Sequence, residues 1–251
     1  MVDVSSVVYV LLPPSESKEP GGRHTTTPGF FDESLEAPRA KVRLALATLL
    51  SESSLDEVSR VLKVRGALLE RAVHATRQLV EGSAPSMPAW QRYSGVVWSH
   101  LDPGTLKDRQ RRRILVPSGL YGVSSATDLI SDYRLTMKVA LQGLGNVASF
   151  WRPTLGDALE QIPGARFVNL LPKEHHAAIG HRETLAPRVI DVAFLRDGGK
   201  GVAGHDAKAV KGIVARRVID EGVNAIEGFH WGSWRGRIRD GRYEVRDTSS
   251  R

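Results

Sequence analysis

The chain has 251 residues, of which 41% are hydrophobic and 25% charged, enough for a sizeable buried core and against wholesale disorder. It has no cysteine, which excludes disulfides, thiolate metal sites, iron–sulfur clusters and cysteine nucleophiles, and no run approaches the ~18 apolar residues of a membrane span. Lys plus Arg outnumber Asp plus Glu by 35 to 28, a net charge of +7 that fits either an Arg-rich solvated surface or an anionic partner.

Near the N-terminus there is no basic leader, and the apolar run turns polar within six residues, which argues against a secretion signal. The expected compartment is the cytoplasm. Val7 to Leu12 reads as a short buried strand ended by Pro13-Pro14. Pro13 to Pro28 is rich in Pro, Gly, Ser and Thr and reads as a loop, placed where ligand contacts are common. From Pro38 to about Val80 the pattern is helical, with Ala40, Leu44, Ala47 and Leu50 on one face. Ser54 with Glu57 forms a capping-box signature, and Val64-Arg65-Gly66-Ala67 is a turn between two helices. Gly95 to Trp98, Ile114 to Val116 and Leu135 to Val139 read as strands. Trp151, Leu155, Ala158, Leu159 and Ile162 mark an amphipathic helix, and Arg166 to Leu171 and Val189 to Leu195 are further strands. A helix follows from about Asp206 to Asp220, with Tyr243 to Val245 a last strand in a basic tail of about 230–251 that holds Arg235, Arg237, Arg239, Arg242, Arg246 and Arg251. A second basic cluster spans Arg109 to Arg113. Strands and helices mix without regular alternation. The expected fold class is therefore α+β, or irregular α/β: one domain over 1–251, a mixed sheet with flanking helices, and an inserted helical subregion at about 38–80.

Familiar catalytic motifs are missing. His175, His176 and His181 lie close in sequence but lack metal-ligand spacing, and no metal or cofactor is expected. Ser118 lacks the G-x-S-x-G setting, and Gly143-Leu144-Gly145-Asn146 falls short of a dinucleotide fingerprint. The segment Leu62 to Val73 is loosely like a helix-hairpin-helix. In that motif Gly66 would let backbone N–H groups meet a DNA phosphate, with Lys63, Arg65 and Arg71 adding charge.

Several blocks together resemble the YaaA family of bacterial peroxide-stress proteins. Leu11 to Lys18 is similar to the family's N-terminal strand and S-P-A-K loop, and Tyr93 to Trp98 to its F-x-G-D-V-Y. Ser118-Gly119-Leu120-Tyr121-Gly122, Asp128-Leu129 and Tyr133 to Met137 match S-G-L-Y-G-x(4)-D-L-x(3)-Y-R-L-x-M. Phe150-Trp151, Asn169-Leu170 with Glu174, and Ala207-Lys208 with Lys211-Gly212 and Ala215-Arg216 continue the match in order. The resemblance implies an unusual α/β fold with a helix-hairpin-helix, DNA binding, a cytoplasmic location and a role in limiting peroxide damage linked to intracellular iron.

Beside the resemblance, Ser15, Lys18, Ser118, Tyr121, Arg134, Asn169, Glu174, Lys208 and Lys211 are polar groups at strand ends, turns and a helix face, and are expected to line one cleft. Such a set suits an anionic, hydrogen-bonding ligand, whether a nucleotide, a flipped base or a DNA end. The alternative is a buried polar network that fixes the fold. Two function classes stay open: a DNA-binding stress protein, or an enzyme acting on a nucleobase or nucleotide. The enzyme would use Glu174 or Asp128 as acid–base, with Lys18, Lys208 and Tyr121 beside it.

Overall fold

The computed structural model describes residues 7–25, 27–180, 182–196 and 205–249. Its centre is β1 (Val8–Leu11), where Val10 and Leu11 are wholly buried, as a continuous β-branched run requires when both faces of the sheet are covered. Three helices follow: α1 (Asp32–Glu52), α2 (Leu55–Leu62) and α3 (Ala67–Glu81). Then come a short helix α4 (Val96–Leu101) and the antiparallel pair β2 (Ile114–Ser118) and β3 (Gly122–Ser125). The chain continues through α5 (Val147–Glu160), β4 (Arg166–Asn169), α6 (Lys173–Ile179), β5 (Val189–Arg196) and α7 (His205–Glu221). It ends in β6 (His230–Trp231), β7 (Trp234–Arg239) and β8 (Arg242–Asp247).

These strands form one mixed sheet in the order β6-β7-β8-β5-β4-β1-β2-β3. The five from β8 to β2 are mutually parallel, and antiparallel strands extend the sheet at both ends. From β1 the chain goes to β2 on one side, and from β4 to β5 on the other. The carboxyl ends of β1 and β4 therefore flank a point where the connections diverge, the usual place for a ligand crevice in open α/β sheets. Wholly buried Trp151 and Leu155 from α5, and Val210, Val214 and Val218 from α7, join the strands in one apolar cluster. Among the described residues no helix is long and apolar enough to cross a membrane.

The α+β architecture agrees with the sequence, with four local corrections. First, α1 starts at Asp32 and carries Pro38 inside it. Second, its buried face is Leu35, Arg39, Val42, Leu46 and Leu49, while Leu44 is 69% exposed. A buried arginine hides that face from a hydrophobic count: Arg39 donates to the carbonyls of Tyr121 and Val123 and pairs with Asp32. Third, Gly95 to Trp98 opens a helix instead of forming a strand, because Val97, Trp98 and Leu101 make one face packed on α7. At Gly212 of α7 a Cβ would overlap the Val97 carbonyl oxygen, so the two helices approach backbone to backbone. Fourth, Leu135 to Val139 alternates in burial as predicted but joins no ladder. Its Met137 and Val139 carbonyls accept N–H bonds from Ala148 and Val147 at the start of α5 instead.

The helical insertion is present. Ser54 and Glu57 make the capping box, and α2 ends on Lys63 in the left-handed region at φ 55°. Gly66 precedes α3 at φ 54°, so a hairpin of two helices is present with one glycine in its turn.

A tighter constraint lies at Gly122, where φ is +69° and a Cβ would stand 2.6 Å from Cζ3 of Trp151. The Trp151 indole cannot retreat, since it is wholly buried and donates to the Gly119 carbonyl at 2.8 Å. Gly122→Ala combines backbone strain with overpacking and is expected to cost about 2–4 kcal/mol. Urea unfolding midpoints check this, and a loss below about 1 kcal/mol would show that the ring moves freely.

Candidate functional site

A cavity of about 760 Å³ opens at the carboxyl ends of β1 and β4. The loop after β1 supplies Pro13 to Lys18, the start of α4 supplies Gly95 to Trp98, and the extended segment Tyr133 to Lys138 crosses the mouth. Glu174 and His175 come from α6, Ala207, Lys208 and Lys211 from α7, and Lys63 from the helical hairpin. The period-two burial of Tyr133 to Val139 explains one wall. Tyr133, Leu135 and Met137 are buried, the first two still forming part of the cavity lining, while Arg134, Thr136 and Lys138 line it from the less buried side.

Lys18 is the most constrained of these groups. Its residue forms a bridge with Tyr93, and its Nζ donates to the Ser15 carbonyl at 2.8 Å. The amine stands 4.2 Å from the Tyr133 ring centroid and 5.8 Å from that of Tyr93. Only 8% of the residue is exposed. Burial lowers its pKa to about 7; Arg134 and Arg71 push the same way, against Asp132 and Glu16. Gly95 permits the close fit of the loop, because a Cβ there would overlap the Ser15 hydroxyl.

Around it, two carboxylates already have partners. Arg134 meets Glu16 at 3.0 Å and Lys138 meets Glu174 at 3.2 Å. Burial raises the Glu174 pKa, but its own backbone N–H and Lys138 outweigh that and leave it lowered, so this carboxylate is ionised at neutral pH. Lys211 donates to the Leu170 carbonyl at 3.1 Å, and burial lowers its pKa. His175 is held neutral by burial, its pKa down to about 4. Its Nδ1 and the Nε of Arg134 are buried without a hydrogen-bond partner among the described residues.

Of the nine expected cleft residues, Ser15, Lys18, Arg134, Glu174, Lys208 and Lys211 line this cavity. Ser118, Tyr121 and Asn169 do not. Ser118 is wholly buried and accepts the Tyr121 N–H, which shapes the turn between β2 and β3. Tyr121 uses its hydroxyl to accept the Ser131 N–H and lines a second, smaller pocket with Arg39 and Asp128. Asn169 donates to Asp191 and accepts from Leu171 N–H, fixing the end of β4. Asp128 likewise is absent from the lining of the Lys18 cavity. It lies in the second pocket and accepts N–H bonds from Ser125 and Phe30, although burial raises its pKa.

The hairpin residues divide. Lys63 lines the cavity and Arg65 is exposed; Arg71 is exposed too, but two of its nitrogens are engaged, by Asp132 and by the Lys18 carbonyl. In the tail, Arg235, Arg237 and Arg239 sit on one face of β7, opposite Arg246, Glu244 and Arg242 of β8. Arg251 lies outside the described residues. Among the described residues no three His, Asp or Glu side chains form a metal-binding group; His176 is exposed and His181 lies outside them. Sequence reasoning did not single out His175 as a cavity residue, nor Tyr133, Thr136 and Lys138. The alternation from Tyr133 onward was the available signal.

A sequence model described as "Peroxide stress protein YaaA" matches residues 8–236. The chain belongs to this family. A "UPF0246 protein" of Streptomyces coelicolor is 32% identical over 228 residues, covering 88% of this chain and 86% of the relative. Another from Corynebacterium efficiens is 34% identical over 217 residues, covering 83% and 84%. A third, from Corynebacterium glutamicum, is 31% identical over 214 residues, again 83% and 84%. The residues matched by the YaaA family model take in β1 to β6, the helical insertion and the cavity lining, and end inside β7.

Proposed function

We propose that this YaaA-family protein binds DNA in its peroxide-stress role, and that the cavity receives a phosphate-bearing nucleotide unit of that DNA. The observation that carries this reading is the charge of the cavity wall. Among the described residues of the lining, Lys18, Lys63, Arg134, Lys138, Lys208 and Lys211 face two carboxylates, Glu16 and Glu174. Each carboxylate is paired with one cation, so Lys63, Lys208 and Lys211 keep their charge available to an anion. Lys63 extends this surface onto the hairpin, where Arg65 is exposed, and the Arg face of β7 and β8 offers a second track for a phosphate backbone.

Fluorescence anisotropy with duplex and bubble oligonucleotides at several salt concentrations tests this. Affinity is expected to fall with salt by about −0.9 in log K against log salt for each phosphate neutralised. Lys63→Ala with Arg65→Ala is expected to flatten that slope by roughly one to two while leaving the melting temperature near that of the parent. Salt-independent binding, or none at low salt, rejects the reading.

One observation favours a second reading, an enzyme acting on a nucleotide or its sugar. Lys18 holds a largely desolvated amine with a pKa of about 7 at the cavity wall, which is the setting of a reactive lysine. Glu174, ionised and lining the same cavity, suits a base rather than an acid.

A further inference from the structure

We propose that Lys18 is a nucleophilic amine that forms an imine with the aldehyde of a phosphorylated sugar bound in the cavity. The proposal rests on reading the cavity as a site for a phosphate-bearing ligand, and adds a covalent step to it.

The placement supports it. Lys18 reaches the cavity from a loop pinned on both sides: Trp98 Nε1 donates to the Pro13 carbonyl at 3.1 Å, and the Lys18–Tyr93 bridge holds the other end. Among the described residues its amine has a single hydrogen-bond acceptor, the Ser15 carbonyl, and otherwise lies against the Tyr133 ring. No carboxylate forms an ion pair with it among the described residues. The charged groups around it are Glu16, Arg71, Asp132 and Arg134, with the Tyr93 and Tyr133 hydroxyls bonded to each other at 2.8 Å. Asp132 is engaged by Arg71 and Glu16 by Arg134. With its pKa near 7, about half of Lys18 carries a free lone pair at neutral pH, against roughly one in three thousand for a lysine at 10.5. Elsewhere in the cavity lining, Lys208 and Lys211 provide charge for a phosphate, and Thr136 and Glu174 provide partners for sugar hydroxyls.

The step balances without a cofactor. The Nζ lone pair forms a bond to the aldehyde carbon, and the C=O π pair moves to oxygen, which takes up the proton released by nitrogen. The resulting carbinolamine loses its hydroxyl as water with one further proton. The nitrogen lone pair then completes C=N, giving a protonated imine. The aldehyde can come from two sources with the same chemistry: the ring-opened sugar of an abasic nucleotide in DNA, or a free sugar phosphate.

The test incubates the full-length protein with 2-deoxyribose 5-phosphate, and separately with a duplex carrying one abasic site, in cyanoborohydride at pH 7. Intact mass and peptide mapping then locate the reduced adduct. The expected result is one adduct, on the peptide holding Lys18, that falls roughly tenfold or more in Lys18→Arg. Labelling with the duplex alone assigns the DNA source, and labelling with the free sugar phosphate alone assigns the small-molecule source. No adduct with either, or labelling spread over surface lysines of the unaltered protein, overturns the proposal. Anisotropy with a duplex carrying a tetrahydrofuran analogue, which has no aldehyde, separates the two levels. Binding of that duplex without trapping of the abasic one removes the imine and leaves DNA binding standing. No binding at low salt removes DNA binding, and the sugar-phosphate arm still decides the imine.

Discussion

Arg92→Met is expected to destabilise the protein by about 3–5 kcal/mol and to free the loop that carries Lys18. Arg92 is wholly buried, yet its partners are backbone carbonyls rather than carboxylates. The guanidinium donates to Gly21 at 2.9 Å, to Pro85 at 3.2 Å, to Ile130 at 3.4 Å and to Glu19. One planar fork thus ties the segment after Lys18 to the strand-like pair formed by Ser86–Pro88 and Leu129–Ser131. Met fills part of the volume but leaves those acceptors without a donor, and that desolvation is the main loss. Arg92→Lys keeps the charge but offers its donors from one point, so it is expected to fall between the two. Urea unfolding measures the stability. The local consequence is read by amide hydrogen exchange, which should rise at Glu19, whose N–H is held by the Arg92 carbonyl at 2.9 Å. A loss below about 1 kcal/mol, or unchanged exchange at Glu19, would mean that the loop is held by other contacts.

The features legible in the sequence were those that depend on short-range pattern. The continuous apolar run at Val8–Leu11 and the strand-like segment Arg166–Asn169 became the adjacent central strands, and Ser54 with Glu57 became a capping box. Family resemblance added Lys18, Arg134, Glu174, Lys208 and Lys211, which the topology brings to one cavity from four separate parts of the chain. What the pattern could not supply was the direction of a polar side chain. Ser118, Tyr121 and Asn169 belong to the same matched blocks, but their hydrogen bonds close turns and strand ends outside the cavity wall. Arg39 and Arg92 carry charge and are nonetheless buried, because each finds carbonyl acceptors brought near by distant segments. No window of sequence contains that information. The four-residue run Gly95 to Trp98 failed for a different reason: a short apolar stretch fits a strand or a buried helix equally, and contact with α7 decides between them.

Stability is expected to rise with pH between about 7 and 9, and Lys18→Met is expected to remove most of that rise. The Lys18 amine releases its proton near 7 in the folded chain, against 10.5 for an ordinary lysine. Between those values the unfolded chain binds the extra proton, so raising the pH favours the folded state, by up to about 5 kcal/mol across the full interval. Below pH 7 both states are protonated and the burial cost is fully present. Lys211, also lowered by burial, acts in the same direction and remains in the variant. The buried hydroxyls of Tyr93, Tyr121 and Tyr133 have raised pKa values and act with the opposite sign, but only above about 10. His175, held neutral by burial with its pKa down to about 4, adds a rise of its own up to about pH 7, equally in parent and variant, so the interval from about pH 7 to 9 isolates the lysines. Methionine replaces the ammonium by an apolar group of similar length against the Tyr133 ring, so the variant is expected to exceed the parent by about 2–4 kcal/mol at pH 6 and to converge with it by pH 9. Urea titrations of both proteins across that range decide the matter, and parallel pH slopes would place the Lys18 pKa near that of an exposed lysine. A native protein that forgoes this stability keeps at its cavity wall a neutral amine, the form that adds to a carbonyl, and a folded Lys18→Met protein that is more stable but no longer trapped by an aldehyde would tie that cost to chemistry.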